Sequence, residues 1–190
     1  MNALGNWFCS TSFWRYLTHR RLLPWVFSGS ELGDHVLELG AGAGAATDEL
    51  RRRAARVTSI EYSYAFAAGL AARQRGTNGG VLQGDAAALP FADRSFSSVI
   101  AVLVLHHLRA GELQDRAFAE VHRVLRPGGC FFAFEISDGW LQRAIHKNSV
   151  FVPVQPASVP ARLTAAGFSR VTVDIRRGGF RIRARRDREG

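Results

Sequence analysis

The feature of this sequence that most restricts its fold is a regular alternation of short apolar runs with helical patterns of about 10 to 15 residues. Strands that alternate with helices of this length imply right-handed crossovers and a parallel sheet covered on both faces. The predicted strands are His35–Leu39, Arg56–Ile60, Val81–Gln83, Ser98–Val104 and Cys130–Ile136, the last following a stop at Pro127-Gly128-Gly129. The predicted helices are Ala45–Ala55, Ser63–Arg75, Gly111–Leu125 and an aromatic-rich pattern over Asn6–Phe27 that ends at Pro24 or at Ser28-Gly29-Ser30.

The last third of the chain departs from this alternation. A helical patch over Trp140–Ile145 is followed by a predicted helix over Ala157–Ala166, which Gly167 terminates. Two further strands, Arg170–Ile175 and Phe180–Ala184, are separated only by Arg177-Gly178-Gly179. Since strands joined by so short a connection must be antiparallel, we expect a hairpin after the parallel strands.

Length and composition predict one domain with a sizeable core. The chain has 190 residues, of which 47% are hydrophobic, so neither disulfides nor metals are needed to hold the fold. Its two cysteines, Cys9 and Cys130, are too few for a disulfide scaffold or a four-ligand zinc site, and no metal is predicted. The longest apolar run, Val99–Leu105, is too short for a membrane span, and no secretory signal is recognised at the start. We therefore expect a cytoplasmic protein with reduced thiols.

The net charge of +9 raises the question of a nucleic-acid partner. More than half of the excess comes from residues 170–190, which contain eight arginines and three acidic residues. At the predicted last strand, Arg181, Arg183 and Arg185 alternate with Phe180, Ile182 and Ala184. This alternation is expected for a strand with one solvated face and one face toward the core. Because Lys147 is the single lysine, the arginine bias is typical of genome composition, and the sequence disfavours a nucleic-acid partner.

A glycine-rich turn follows the first predicted strand. The stretch Gly40-Ala41-Gly42-Ala43-Gly44 lies where the strand turns into a helix, and small residues there let a ligand approach the backbone closely. In an open α/β sheet, ligands bind beyond the carboxyl ends of the strands, which is where this turn falls. The turn therefore predicts a nucleotide-like ligand.

Three acidic residues at successive strand ends narrow the identity of that ligand. Glu38 lies inside an apolar strand and needs a cationic or hydrogen-bonding partner. Glu61 ends the second strand, where it is placed to accept hydrogen bonds from both ribose hydroxyls, and Asp85 follows the third, where it can accept from an exocyclic amine such as that of adenine. Three carboxyl groups suit a ligand with ribose, adenine and ammonium groups better than one with a pyrophosphate.

With these residues in place, the chain resembles a small bacterial class I S-adenosylmethionine-dependent methyltransferase with a ubiquinone/menaquinone-biosynthesis-like core. The resemblance covers about Gly33 to Arg186. It rests on five blocks in the family's order: Glu38 to Gly44, Glu61, Gly84-Asp85-Ala86, Leu89 to Phe96 with Leu105-His106-His107-Leu108, and Arg123 to Gly129. One departure is Ser97, because the family usually has an Asp directly after the Phe that opens the fourth strand. That change puts local packing in doubt more than activity.

The resemblance implies a three-layer Rossmann-like methyltransferase fold with a seven-stranded, mostly parallel sheet. It also implies S-adenosylmethionine as cofactor, S-adenosylhomocysteine as product and a small-molecule acceptor. The implied cofactor-binding residues are Glu38, Gly40, Ala41, Gly42, Glu61, Tyr62, Asp85, Ala86 and Leu103. The transfer is an in-line displacement for which positioning is the main requirement. A base is needed only when the acceptor must lose a proton, and His106 and His107 are the candidates.

The domain organisation follows the same resemblance. Residues 1–30 are expected to form a helical lid, 33–136 the cofactor-binding core, 137–156 a substrate-side insertion, and 157–186 the final helix and hairpin. The candidate lid and substrate residues are Phe13, Trp14, Tyr16 and Trp140. We expect a monomer or a homodimer.

Two other functions compete with methyl transfer. An NAD(P)-dependent reductase is suggested by Gly40-x-Gly42-x-x-Ala45 followed by Glu61, but Glu38 has no use beside a pyrophosphate and a Tyr-x-x-x-Lys pair is missing. An RNA-binding or RNA-modifying protein is suggested by the basic C-terminal strand, but the usual base-methylating motifs are missing. Binding of S-adenosylmethionine rather than of a dinucleotide distinguishes the first two functions.

Overall fold

The computed structural model describes residues 11–147, 149–176 and 178–188, and the side chains of 12–14 and 141 lie outside that description. Seven strands form one sheet: β1 (His35–Leu39), β2 (Arg56–Glu61), β3 (Gly79–Gln83), β4 (Phe96–Val102), β5 (Leu125–Ile136), β6 (Ser169–Arg176) and β7 (Gly179–Arg185). The helices are α1 (Ser12–Leu17), α2 (Leu23–Phe27), α3 (Thr47–Arg53), α4 (Tyr64–Gln74), α5 (Gly111–Val124), α6 (Trp140–Ile145) and α7 (Val159–Ala165). None of the described helices is long and apolar enough to cross a membrane.

The strand order in the sheet is β3-β2-β1-β4-β5-β7-β6. Strands β1 to β5 run parallel, whereas β7 is antiparallel to both β5 and β6. The order reverses at β1, so a crevice opens between the carboxyl ends of β1 and β4, where α/β folds bind their ligands. The predicted α/β architecture, with a mostly parallel seven-stranded sheet and a C-terminal antiparallel hairpin, is confirmed.

The core has two parts, one on each face of the sheet. Since successive strand residues point to opposite faces, Leu37 and Val99 pack on one side while Val36 and Ile100 pack on the other. The first side is covered by α5 and α7 through Phe118, Val121, Val124, Val159 and Leu163. The second side is covered by α2 and α3 through Leu23, Val26, Phe27 and Leu50. This is the three-layer arrangement that the sequence predicts.

Several predicted strand boundaries differ from those of the structure, and two of the differences have a clear physical cause. Strand β5 begins at Leu125 rather than after Gly129, because Leu125 pairs with Phe96 and the Pro-Gly-Gly stretch is absorbed in a shift of register. Backbone bonds from Gly128 N to the Arg186 carbonyl (3.0 Å) and from Arg186 N to the Gly129 carbonyl (2.9 Å) hold that stretch in place. Strand β4 ends at Val102 rather than Val104, since Leu103 adopts a left-handed backbone with φ of 59°.

The N-terminal segment is helical from Ser12 to Phe27, with a π-helical turn over Thr18–Leu22 between α1 and α2. Pro24 does not end the helix, because it lies in the first turn of α2, where its missing N–H is not needed. The helix ends instead at Ser28, whose φ of 45° is left-handed. The beginning of the predicted helix, before residue 11, lies outside the described residues, as does Cys9, whereas Cys130 is free and half-buried.

Candidate active site

The glycine-rich turn is packed closely on its inner side and open on its outer side. A Cβ added to Gly40 (φ 59°) would lie 2.6 Å from Val104 Cγ2, and one added to Gly44 (φ 78°) would lie 2.6 Å from Leu70 Cδ1. At Gly42 (φ 52°) an added Cβ meets no atom within 4 Å. The turn therefore needs glycine for its backbone conformation, and it leaves space above Gly42 for a ligand.

Glu38 lies at the end of β1 and is buried. The Thr47 hydroxyl (2.7 Å) and the Ser59 hydroxyl (2.6 Å) both donate to its Oε2. These are the hydrogen-bonding partners that the sequence requires for a carboxyl group at this position. Burial raises the pKa of Glu38 to about 7, although the two hydroxyls oppose the shift by stabilising the charged form. The group is therefore sensitive to a cation placed beside it.

Glu61 connects the turn to β2. The backbone N–H of Gly42 donates to its Oε2 (2.8 Å) and that of Ser63 donates to its Oε1 (2.8 Å). A carboxylate oxygen has two acceptor sites, so each oxygen keeps one for a ligand. Asp85, after β3, accepts a hydrogen bond from the Ala87 N–H at Oδ1 (2.8 Å).

Glu38, Glu61 and Asp85 lie at the ends of three neighbouring strands. Leu39 of β1 pairs with Ile60 of β2, whose Glu61 pairs with Gln83 of β3. The remaining predicted cofactor residues lie along the same edge of the sheet. Among them, Ala41 is buried, Ala86 packs against the core, Tyr62 is exposed and Leu103 has the left-handed backbone described above.

A histidine turn, the 3₁₀ helix Leu105–His107, follows β4. Glu135 of β5 is fully buried beside it, and its Oε1 accepts the backbone N–H groups of Val104 (2.9 Å) and Leu105 (2.7 Å). Its Oε2 lies 2.5 Å from His106 Nδ1. Three donors thus satisfy a carboxylate that would otherwise be costly to bury, and the contact assigns the His106 proton to Nδ1.

Sequence reasoning missed Glu135, although the signal that drew attention to Glu38 was present. Both are carboxylates inside apolar strands. Sequence reasoning also missed Gln114, a buried residue of α5 whose amide donates to the carbonyls of Leu105 (3.2 Å) and Val152 (2.9 Å). Gln114 therefore holds the histidine turn against residues 149–155.

His107 and His146 extend the histidine turn into a cluster. His107 Nδ1 lies 3.2 Å from the Val150 carbonyl, and its Nε2 is buried without a partner among the described residues. Burial, together with the neighbouring His106, lowers the pKa of His107 to about 3. His146 Nδ1 lies 2.8 Å from the Gln142 carbonyl, and the His146 ring stacks on Phe151.

One ring nitrogen each from His106, His107 and His146 lie within 4.8 Å of one another. Imidazole is a common ligand of divalent transition metals, so these three residues are the described group that could hold one. Tetrahedral zinc with Zn–N bonds of about 2.0–2.1 Å requires ligand nitrogens about 3.3 Å apart. The cluster is looser than that, and the rings would have to move together to bind an ion.

The N-terminal segment is attached to the glycine-rich turn. Arg15 of α1 forms an ion pair with Asp48 of α3 (2.5 Å), and His19 Nε2 contacts the Ala45 carbonyl (2.7 Å). Among the predicted lid and substrate residues, Tyr16 and Trp140 are both exposed. The side chains of Phe13 and Trp14 lie outside the described residues.

Ser97, which replaces the Asp usual in the family, has a local structural role. Its hydroxyl lies 2.9 Å from the Leu32 carbonyl and 2.8 Å from the His35 carbonyl, and it accepts the His35 N–H (3.0 Å). The small side chain also fits beside Gly33, where an added Cβ would lie 2.6 Å from Ser97 Cβ. Serine therefore joins β4 to the segment before β1.

Comparison with known proteins identifies the family. The methyltransferase domain family matches residues 37–133, which include the glycine-rich turn, the three strand-end carboxyl groups and the histidine turn. The chain belongs to this family. The methyltransferase is 31% identical over 169 residues to a demethylmenaquinone methyltransferase of Thermobifida fusca, covering 73% of this chain and 70% of that protein. The predicted class I S-adenosylmethionine-dependent methyltransferase is thus confirmed.

Other relatives of the methyltransferase differ in size and name. It is 29% identical over 135 residues to the probable tRNA methyltransferase 9B of Bos taurus, covering 71% of this chain but 28% of that protein. A solved S-adenosylmethionine-dependent methyltransferase of Methanosarcina mazei superimposes with a TM-score of 0.70 at 23% identity, covering 88% of this chain and 99% of that one. The solved structure shares the fold of the methyltransferase.

Proposed function

We propose that the enzyme transfers a methyl group from S-adenosylmethionine to a small-molecule acceptor in the crevice beyond β1, β2 and β4. The observation that carries this proposal is the position of Glu61. Its carboxylate is fixed by two backbone N–H groups of the surrounding turns, and both oxygens keep an acceptor site. A carboxylate fixed in this way can accept both hydroxyls of one ribose.

The other carboxyl groups would bind the two ends of the cofactor. Asp85 would accept the adenine amine, and Glu38 would neutralise the ammonium group of the methionine part. Gly40, Ala41 and Gly42 would pass beneath the cofactor, with Tyr62, Ala86 and Leu103 at its sides. The cofactor supplies an activated methyl group on a sulfonium, and S-adenosylhomocysteine is the product.

The acceptor would lie on the side of the histidine turn. Its lone pair would take up the methyl group that the bound cofactor supplies, and the electron pair of the broken carbon–sulfur bond would remain on sulfur, which would lose its positive charge. His106 is the better base of the two predicted histidines, because Glu135 holds its Nδ1 proton and leaves the Nε2 lone pair free to accept a proton. His107, whose pKa is lowered to about 3, would instead position the acceptor in its neutral form.

The proposed domain organisation divides these roles along the chain. Residues 33–136 would bind the cofactor, while residues 1–30 would form a lid anchored by the Arg15–Asp48 ion pair. Residues 137–156 would shape the acceptor pocket, and 157–186 would complete the sheet. Tyr16 and Trp140 are exposed, so their rings are accessible to an incoming acceptor.

An aromatic hydroxyl compound is the acceptor class that we favour. The Thermobifida fusca relative is named a demethylmenaquinone methyltransferase, and the chain covers 70% of it. The bovine relative is named for tRNA, but the chain covers 28% of that protein. The family assignment also removes the reductase alternative.

Two assays test the proposal. Calorimetric titration should show binding of S-adenosylmethionine and not of NADPH. With methyl-labelled cofactor, label should appear in 1,4-naphthohydroquinone and not in bulk tRNA. Binding of the dinucleotide alone would refute methyl transfer, and labelling of tRNA alone would refute a small-molecule acceptor.

A further inference from the structure

A cavity lies at the amino ends of the parallel strands, at the opposite end of the sheet from the candidate active site. It measures about 750 Å³ and is formed where β1, β4 and β5 begin and β7 ends. The active site lies at the carboxyl ends of the parallel strands, so the two sites are separated by the length of the sheet. The volume is in the range of small-molecule sites.

The cavity is strongly cationic. Its lining includes five arginines, namely Arg126, Arg170, Arg183, Arg185 and Arg188, but Glu31 is the single acidic residue of the lining. An ion pair from Arg126 to the exposed Asp34 (2.7 Å) neutralises one of the five. Within the part of the chain that the structure describes, the guanidinium groups of Arg170, Arg185 and Arg188 make neither an ion pair nor a hydrogen bond.

The arginine side chains are placed by the fold rather than scattered over the surface. Arg183 and Arg185 project from one face of β7, since Ile182 and Ala184 are buried on the other. Arg183 also donates to the Ser30 hydroxyl (3.0 Å). Arg170 lies in an irregularity of β6 with a left-handed φ of 49°, a conformation that is uncommon for a residue other than glycine.

We propose that this cavity binds a small organic molecule carrying two or more phosphate groups. One guanidinium group can donate two parallel hydrogen bonds to the oxygens of a phosphate. Several guanidinium groups without an ion-pair partner among the described residues line this cavity, and together they favour an anion with more than one negative charge. The lining also contains Leu32, Pro127 and Phe132, which provide apolar surface for an organic part. A concave site of this size fits a nucleoside diphosphate better than a continuous nucleic-acid strand. The site is independent of the methyl-transfer reaction.

The test is a calorimetric titration with uridine diphosphate while S-adenosylhomocysteine fills the active site. The double variant Arg183→Gln and Arg185→Gln should weaken binding about tenfold to a hundredfold for each lost guanidinium group. The matched control is Arg52→Gln with Arg143→Gln, which removes the same charge from exposed ion pairs and should leave the affinity unchanged. Inorganic pyrophosphate should bind more weakly than the nucleotide.

Separate outcomes would overturn this inference without touching the proposed reaction. Equal losses in the two double variants would show a net-charge effect rather than a site. Tighter binding of a single-stranded RNA of 20 nucleotides than of uridine diphosphate would replace the small ligand by a nucleic acid. Retained affinity for S-adenosylhomocysteine establishes that each variant is folded.

Discussion

Glu38 is the residue where burial and the proposed function oppose each other most directly. Its carboxyl group is buried at the end of β1, and burial raises its pKa to about 7. Near neutral pH it is therefore divided between its neutral and charged forms in the free enzyme. An ammonium group bound beside it favours the charged form, so cofactor binding should release a proton.

We expect the dissociation constant of S-adenosylmethionine to increase by up to about tenfold for each pH unit below 7. The reason is that protonated Glu38 must lose its proton before it can neutralise the ammonium group. Titration calorimetry from pH 5.5 to 7.5 measures this dependence. The control is Glu38→Gln, which should bind more weakly with little change over the same range. An equal slope in both proteins would rule out the proposed contact.

The same substitution should stabilise the free protein at alkaline pH. Between pH 4.5 and 7 the folded state binds more protons at Glu38 than the unfolded state, so wild-type stability falls as the pH rises. Above pH 7, this pKa shift lowers the free energy of unfolding by about 3 kcal/mol. Urea unfolding should show Glu38→Gln to be more stable than the wild type at pH 8, by up to this amount, and equally stable at pH 4.5. A less stable variant at pH 8 would contradict this reading.

At the scale of elements, the candidate active site depends on how turns are joined to strands. The histidine turn is held from one side by Glu135 of β5 and from the other by Gln114 of α5. His107 is confined between this turn and residues 149–151, which lowers its pKa to about 3. Protonation would place a charge in a site built for a neutral ring.

Acid should therefore destabilise the fold through His107. The folded state binds fewer protons there than the unfolded state between pH 3 and 6.5, so this contribution is complete above pH 6.5 and is lost as the pH falls. Through His107, the free energy of unfolding can fall by at most about 1.4 kcal/mol for each pH unit. Unfolding free energies at pH 7 and pH 5 should differ more for the wild type than for His107→Gln. A wild-type loss no larger than that of the variant would show that another group dominates.

A second element-scale prediction concerns the junction of β4 with the segment before β1. Ser97→Ala removes the acceptor of the His35 N–H and the single hydroxyl donor that the Leu32 and His35 carbonyls share, so it should cost about 1–3 kcal/mol of unfolding free energy. The matched control is Ser95→Ala, whose hydroxyl donates to Ala92 in an exposed turn. Similar small losses in both variants would mean that Ser97 is dispensable.

The sequence predicts most elements because strands and helices differ in their apolar spacing. It fails where tertiary contacts decide the outcome. Pairing with β4 and with Arg186 extends β5 through a Pro-Gly-Gly stretch. From the sequence alone, that stretch predicts a break between a helix and a strand. The contacts of Glu135 and Gln114 join residues far apart in the chain, and the involvement of His146 depends on how residues 137–156 fold back.

At the scale of the whole molecule, the two ends of the parallel strands differ in charge. The carboxyl edge carries the acidic groups that we assign to the cofactor, and the amino edge carries the arginine cavity. More than half of the net charge of +9 comes from residues 170–190, which supply four of the five arginines of the cavity. The predicted alternation along β7 is present, but its arginine face is half-buried rather than solvated, and Arg181 and Arg183 lie over the rings of Trp25 and Phe132. The cavity also requires the Ser30–Gly33 segment and β5, which only the fold brings to that strand.

The central claim is that strand-end carboxyl groups around the glycine-rich turn bind S-adenosylmethionine, and calorimetric titration of Glu61→Ala tests it most directly. The variant loses two acceptor sites for the ribose, each worth about 1.5–3 kcal/mol, so the dissociation constant should rise about a hundredfold or more. The control Glu112→Ala removes an exposed carboxylate of α5 and should bind as the wild type does. If folded Glu61→Ala binds S-adenosylmethionine within twofold of the wild type, the account is contradicted.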